Sequence, residues 1–220
     1  MRASDRAYER LLDEIQSGQL PAGAVLSEVG QSTRLGVSRT PLREALSRLA
    51  ADGLVVQQSP RVTVVAGIAA RDIRDLFEVR TALETTAARA AARRGDPAVF
   101  AALAEEFRAA GLDDAALDAY YALIARFDRA VDAAADNARL SAALRTVRTH
   151  LVRVRRLARD KPARLAASAA EHRLIAAAIA DADADLAASA TAVHLHNALE
   201  SALLSLEDAP RPLTPSGRTS

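Results

Sequence analysis

Apolar residues recur along this chain at the three-and-four spacing of a helix, with one short exception after residue 53, where they alternate. The first stripe is Ala7, Leu11, Leu12 and Ile15. It predicts a helix over 3–16, with Ser4 placed to cap it and Gly18 to end it. A turn containing Pro21 and Gly23 leads to Ser27, a good N-cap for a short second helix reaching about residue 34. Gly36 closes that helix and Ser38 can cap a third, whose stripe is Leu42, Ala45, Leu46 and Leu49. Gly53 stops it. Residues 54–57 then alternate as a strand, Ser59, Pro60 and Arg61 make a turn, and the β-branched run 62–65 returns. Helix, helix, turn, helix, hairpin is the order of a winged helix-turn-helix.

From residue 70 the helical period is unbroken to about 206. Gly95-Asp96-Pro97, Gly111, Asp136-Asn137, Asp160-Lys161-Pro162 and the stretch 181–185 interrupt it. Helices are predicted over 70–93, 97–109, 113–135, 138–159, 162–180 and 183–206, and short connections argue for an antiparallel bundle. The fold class expected is mainly α. An N-terminal winged helix-turn-helix (three helices plus a β-hairpin) over 1–66 precedes an all-α six-helix bundle over 67–207. A Pro-, Ser- and Thr-rich tail over 208–220 is expected to be disordered.

Composition narrows the picture in three ways. Half of the residues are hydrophobic but only 3% are aromatic, so alanine, the best helix former, does much of the apolar work. There is no cysteine, which excludes disulfides and thiolate metal sites. The 29 basic and 28 acidic residues nearly cancel, so any contact with nucleic acid must come from a local patch. Without a signal peptide or an apolar run long enough to span a bilayer, a cytoplasmic protein with no membrane partner is expected.

That local patch is at the start of the third helix. Arg39, Thr40 and Arg43 lie off its apolar stripe, so one side anchors in a core while the guanidinium-bearing end meets solvent, as in a DNA recognition helix. The plainer alternative is an amphipathic surface helix with arginines for solubility. The segments SGQLPAGAVLSE and RLGVSRTPLREALSRLAADGLV decide between the two, because they closely resemble the N-terminal domain of GntR-family transcription regulators. The resemblance implies that Ser38, Arg39, Thr40 and Arg43 contact operator phosphates and bases. Arginine suits that role through paired donors to guanine, and helix N-terminal groups bind phosphate. Two places depart from the pattern. Gln31-Ser32 stands where the family has Leu-Ala, which predicts either a shifted, frayed second helix or an outward-turned Gln31. The wing tip reads Ser59-Pro60-Arg61-Val62 in place of an Arg-Gly pair, leaving Arg61 as the candidate for a minor-groove contact.

The second half resembles the FCD effector domain of the FadR-like branch of that family, through LFEVRTALETTAARAAARR, ARFDRAVDAAADNARL, EHRLIAAAIADADADLAA and AVHLHNAL. Many such domains hold a divalent metal with one Asp and three His. Here the first two of those positions read Ile124 and Asp128, while His172 and His194 match the others. One carboxylate and two imidazoles can hold Zn²⁺ or a similar ion with open positions for an effector; alternatively Asp128, His172 and His194 form a metal-free polar pocket. The resemblance also implies that Arg80 faces the effector cavity, against the simpler possibility of an ion pair with Glu84 one turn on. His150 and His196 match no ligand position and are expected to be structural or exposed. The arginines of 145–159 are read as a solvated helix face rather than a second DNA surface, because Val147, Leu151, Val154 and Leu157 supply a buried stripe, with room for one or two of the arginines to reach the pocket.

The function implied is a ligand-responsive transcription regulator, not an enzyme. It is expected to act as a repressor, a homodimer on a palindromic double-stranded DNA operator, released by a small carboxylate effector. The alternatives are a DNA-binding dimer whose effector site has decayed, and a helical metalloenzyme with a DNA-binding domain.

Overall fold

The computed structural model describes residues 1–59, 62–113, 115–157 and 162–208. The wing tip with Pro60 and Arg61, the tail 209–220 and the side chains of Arg155, Arg156, Leu157 and Arg159 lie outside the described residues, so the expectations placed on them stand as expectations.

The first unit begins with α1 (Ala3–Ser17), which buries Ala7, Leu11 and Ile15. Ser4 is not its cap but lies inside the helix, buried; the cap position is Arg2, whose N–H donates to Asp5. Next comes β1 (Val25–Leu26), then α2 (Glu28–Leu35), capped by the Ser27 hydroxyl accepting from the Gly30 N–H. Helix α3 (Arg39–Ala51) follows a turn in which Gly36 takes the left-handed conformation (φ 65°), and buries Leu42, Ala45, Leu46 and Leu49. Ser38 holds the N-cap position of α3, but its side chain makes no capping hydrogen bond.

Strands β2 (Val55–Ser59) and β3 (Val62–Val65) form the expected hairpin. β1 pairs with the other edge of β3, Val25 opposite Val64, giving an antiparallel three-stranded sheet of order β1-β3-β2. Two residues after a Pro/Gly turn carry too little pattern to announce a strand; pairing with β3 creates it. Leu11, Ile15, Leu26, Leu42, Leu49, Leu54 and Val65 share one core.

Helix α2 is neither shifted nor frayed, although none of its residues is buried. Gln31 is half-buried and its side-chain oxygen accepts from Arg34 Nε at 2.8 Å. The helix is tied down by charge: Arg34 makes a two-pronged ion pair, at 2.6 and 2.7 Å, with the buried Glu14 of α1.

The second unit contains α4 (Ala70–Arg94), α5 (Pro97–Ala109), α6 (Leu117–Ala135), α7 (Ala138–Leu157), α8 (Pro162–Ala180) and α9 (Ala184–Asp208). Asp96 caps α5 ahead of Pro97, accepting from the Ala98 N–H. α6 starts later than the apolar period suggests, because the Asp113 carboxylate accepts the Ala116 N–H and holds a turn there. α4 lies along α9, and α8 packs on both α5 and α9. The small side chains of Ala87, Ala88 and Ala91 share a core with Phe100, Phe107, Phe127 and Leu144. A second cluster, Ile73, Phe77, Leu151, Val154 and Leu195, lies where α4, α7 and α9 meet.

The two units touch through α7. Gln16 Nε2 of α1 donates to the Thr149 carbonyl at 2.9 Å, and the Arg153 guanidinium donates to the Ala66 carbonyl. His150 packs beside Gly53, with Cε1 3.7 Å from where a β-carbon would stand. Gly53 needs its own freedom of backbone, at φ 70°, to end α3 there.

Candidate functional site

The N-terminal face of α3 is open. Ser38, Arg39, Thr40 and Arg43 are all exposed, while the opposite side of the helix is in the core. Arg43 is not a bare donor, because its Nε lies 2.9 Å from both carboxylate oxygens of Glu28 on α2. That hydrogen bond, chiefly, holds the Glu28 carboxyl below its ordinary range, with the charges of Arg43 and Arg39 adding to it. Sequence reading missed this partner, which comes from the preceding helix. Behind the recognition helix, Arg48 stacks 4.1 Å over the Tyr8 ring and pairs with Asp5, while the Tyr8 hydroxyl donates to Asp52 at 2.6 Å. These contacts fasten the non-DNA side of α3 to α1.

The second candidate site is a cleft in the bundle, bordered by α4, α6, α7, α8 and α9. Arg80 enters it from α4, 4% exposed, and continues into a smaller adjoining cleft lined by Glu84, Asp128, Arg148, His172 and His194. Both readings of Arg80 hold geometrically: it faces the cavity, and its Nε donates to Glu84 at 2.7 Å. Burial disfavours the Glu84 charge, but the cations around it, Arg80 foremost, outweigh that and hold its carboxyl low.

His172 and His194 come together, with ring centroids 4.3 Å apart. His172 Nδ1 lies 2.7 Å from the Ser168 carbonyl, which only accepts, so that nitrogen carries the proton. Its ring stacks on Phe107 at 5.0 Å. His194 Nδ1 faces Glu171 Oε2 at 2.7 Å. Burial lowers the His194 pKa and the Arg80 charge acts the same way, while Glu171 opposes them.

Asp128 turns elsewhere: its carboxylate lies 3.7 Å from Arg148 Nε, and Arg148 Nη1 donates to Asp132. Among the described residues no group of three or more His, Asp or Glu side chains is arranged to hold a metal ion. Asp128, His172 and His194 nonetheless line one small cleft, with the Arg80 and Arg148 side chains beside them.

Of the arginines of 145–159, Arg148 is one that reaches the cleft. Arg145 is exposed, but the Arg148 side chain is only 21% exposed. Burial works against its charge, and Asp128, Asp132 and Glu84 more than restore it. His150 is half-buried against Gly53 and His196 is exposed.

Sequence reading also missed Arg164, Glu171 and Asn197. Glu171 accepts from Arg164 Nη2 at 2.8 Å, from His194, and through its other oxygen from Asn197 at 2.7 Å. A signal was present: in the alanine-rich α8, the polar residues Arg164, Ser168, Glu171 and His172 fall on a single helical stripe.

Comparison with known proteins fits this two-part arrangement. The profile described as bacterial regulatory proteins, gntR family, matches residues 3–65, and that of the FCD domain matches 75–197. An HTH-type transcriptional regulator from the unstable DNA locus of Streptomyces ambofaciens is 31% identical over 189 residues, 86% of this chain and 80% of that protein. A probable D-xylose utilization operon repressor of Paenarthrobacter nicotinovorans is 42% identical over 79 residues, 36% of this chain and 35% of the repressor. Several other curated relatives are matched over less than half of their own length. The solved structure of E. coli McbR/YncC has the same fold, with TM-score 0.70, 19% identity, and coverage of 94% of this chain and 99% of that one. These families and relatives are transcription regulators rather than enzymes. Among the described residues no helix is long and apolar enough to cross a membrane. The exposed recognition helix, the buried cleft behind it and these matches lead to one conclusion: this chain belongs to the GntR family of bacterial regulatory proteins, in the branch whose C-terminal half is an FCD domain.

Proposed function

We propose that the protein is a ligand-responsive repressor that binds a palindromic operator as a homodimer in the cytoplasm and is released when a small carboxylate enters the bundle. The sense of regulation is drawn from the D-xylose operon repressor among its relatives. The observation that carries the reading is the double role of α7. Arg148, Leu151 and Val154 of this helix line the two clefts. Thr149, His150 and Arg153, on its other side, touch Gln16, Gly53 and Ala66 of the DNA-binding unit. Anything that reseats α7 from within the cavity must move the support of α3. By linkage, a ligand that prefers one seating of α7 changes operator affinity by its preference, and operator changes ligand affinity equally.

A metal-free site is part of this proposal. It is supported by the ion pairs of Arg148 and by the distribution of donors around His172 and His194. The decayed-site alternative has one point in its favour: among the described residues no group of three His, Asp or Glu side chains is arranged for a metal ion. Against it, the cleft retains buried polar atoms without partners among the described residues, which an abandoned cavity would gain by replacing with carbon.

The test is an anisotropy titration of the full chain on its operator, identified by footprinting upstream of neighbouring genes, with and without a panel of carboxylates. Release by one panel member supports the reading. Tight operator binding that no carboxylate alters, together with no carboxylate-induced thermal shift, would leave the decayed-site dimer.

A further inference from the structure

The cleft contains a cation that is better prepared for a ligand than Arg80. Arg164, near the start of α8, is held at one end only: Nη2 donates to Glu171, while Nη1 is buried and has no partner among the described residues. Its holder is itself immobilised. One Glu171 oxygen takes His194 as well as Arg164, and the other takes Asn197, so α9 braces a carboxylate of α8 that in turn aims an arginine of α8. Among the described residues, two further buried polar atoms at this cleft lack a partner at hydrogen-bonding geometry, the Tyr120 hydroxyl and the Ser201 hydroxyl. Ser168 is a near polar neighbour of Tyr120, and burial raises the Tyr120 pKa against the opposing pull of Ser168 and the Arg164 charge.

The chemistry of these three groups is uniform. Each can donate, and one is a fixed cation. A carboxylate accepts only, and has lone pairs enough to take several donors at once. The remaining surface is of the opposite kind: Phe77, Ile124, Leu151, Val154 and Leu165 offer carbon. A polyhydroxylated acid would bury its hydroxyls against that wall without partners, whereas an alkyl or aryl body would fill it.

We propose that Arg164, aimed by Glu171, is the anchor for the carboxylate of an amphipathic monocarboxylic acid, whose apolar body lies against Phe77, Ile124, Leu151 and Val154. This rests on the reading of the protein as ligand-responsive and names the ligand class for that site. It also separates the work of two arginines. Arg164 receives the ligand, while Arg80, engaged by Glu84, belongs to the charged cleft beneath.

The test is calorimetric titration of the full-length protein with octanoate and phenylacetate as probes. Gluconate serves as a carboxylate without an apolar body, and octan-1-ol as an apolar body without a carboxylate. At least one of the two apolar acids is expected to bind, with gluconate and octan-1-ol much weaker. Arg164→Gln is expected to weaken that binding about ten- to hundredfold, the worth of a charge-assisted hydrogen bond. Arg164→Lys, which preserves charge and stem, covers the case in which the glutamine variant fails to fold, and is expected to fall between. Undiminished affinity in either folded variant overturns the role of Arg164. Binding of gluconate in place of the apolar acids overturns the ligand class while leaving the ligand-responsive reading intact. Failure of both apolar acids to bind overturns the proposal outright.

Discussion

Arg148 of α7 faces Asp128 of α6, Nε to carboxylate at 3.7 Å, and so sets a cation against a carboxylate that lines the charged cleft. The same guanidinium donates to Asp132. The cleft answers the negative charge of its own acids with arginine.

The first prediction follows from that pairing. Elemental analysis of gently purified protein is expected to find no stoichiometric divalent ion, and neither Zn²⁺ nor a chelator should move the thermal midpoint. A bound ion at one per chain would refute the metal-free site. Arg148→Ala leaves Asp128 and Asp132 without their cation. With these side chains about one-fifth exposed, the expected loss in chemical denaturation is about 2–3 kcal/mol.

The recognition helix makes a second prediction. Arg39→Ala and Arg43→Ala should each weaken operator binding roughly five- to hundredfold, without unfolding the protein. Each should also make binding less steeply dependent on salt, by about one ion for every phosphate that the arginine neutralises. Glu28→Gln should act in the opposite direction on non-specific DNA, because it frees the Arg43 guanidinium from its partner. Anisotropy titrations at several salt concentrations check all three, and operator affinity unchanged by the arginine substitutions would remove them from the interface.

The packing of the two units against each other yields a third. Gln16→Ala and Thr149→Pro differ in kind, since the acceptor at Thr149 is a backbone carbonyl; only the first removes the hydrogen bond without breaking α7. Gln16→Ala should leave ligand affinity of the operator-free protein nearly intact and reduce the ligand's effect on operator affinity. A full ligand response in that variant would shift the coupling to another part of the junction.

Stability should depend on pH in two windows. His150 and His194 both have lowered folded-state pKa values, each chiefly through burial, so their neutral forms are favoured in the fold. The unfolded state binds their protons first, and stability falls as pH drops below the ordinary value of 6.5 towards the lowered folded values. Glu14 and Glu171 are also lowered. For Glu14 the main cause is the hydrogen bond from Arg34; for Glu171, burial pushes upward and the hydrogen bonds from His194 and Arg164 overcome it. Their contribution is present above the ordinary value of 4.5 and is lost as pH falls through the lowered folded values. Thermal melts between pH 8 and 3 should therefore decline in two stages, on the order of the unit spread of protein pKa values in width. Removing the first stage should need substitution of His150 and His194.

Gly95 offers a steric check on the bundle. A β-carbon there would come within 2.7 Å of the Ala91 carbonyl and of the Phe100 ring. Gly95→Ala should cost about 1–3 kcal/mol by denaturant titration, as overpacking does. A neutral result would mean that the α4–α5 corner relaxes more freely than its packing implies.

Most of the secondary structure was legible in the sequence because its determinants act over a few residues. The stripe Leu42, Ala45, Leu46, Leu49 and the stop at Gly53 define α3 by local spacing, and Asp96-Pro97 and Asn137 mark starts by capping backbone N–H groups nearby. The exposure of Ser38, Arg39, Thr40 and Arg43 follows from the same periodicity. The tertiary structure alone decided what depends on distant partners. β1 exists because β3 pairs with it; Arg43 is engaged because Glu28 of another helix reaches it; Arg148 turns inward because α6 presents Asp128 and Asp132. The cleft is the strongest case. Glu171 meets His194 and Asn197 only once α8 and α9 lie side by side, and burial is what makes those hydrogen bonds, and an Arg164 donor without a partner among the described residues, matter. A sequence can say which residues are polar and which face of a helix they share. Whether a buried charge is neutralised by protein, or left with a donor for a ligand, is settled only by what folding packs against it.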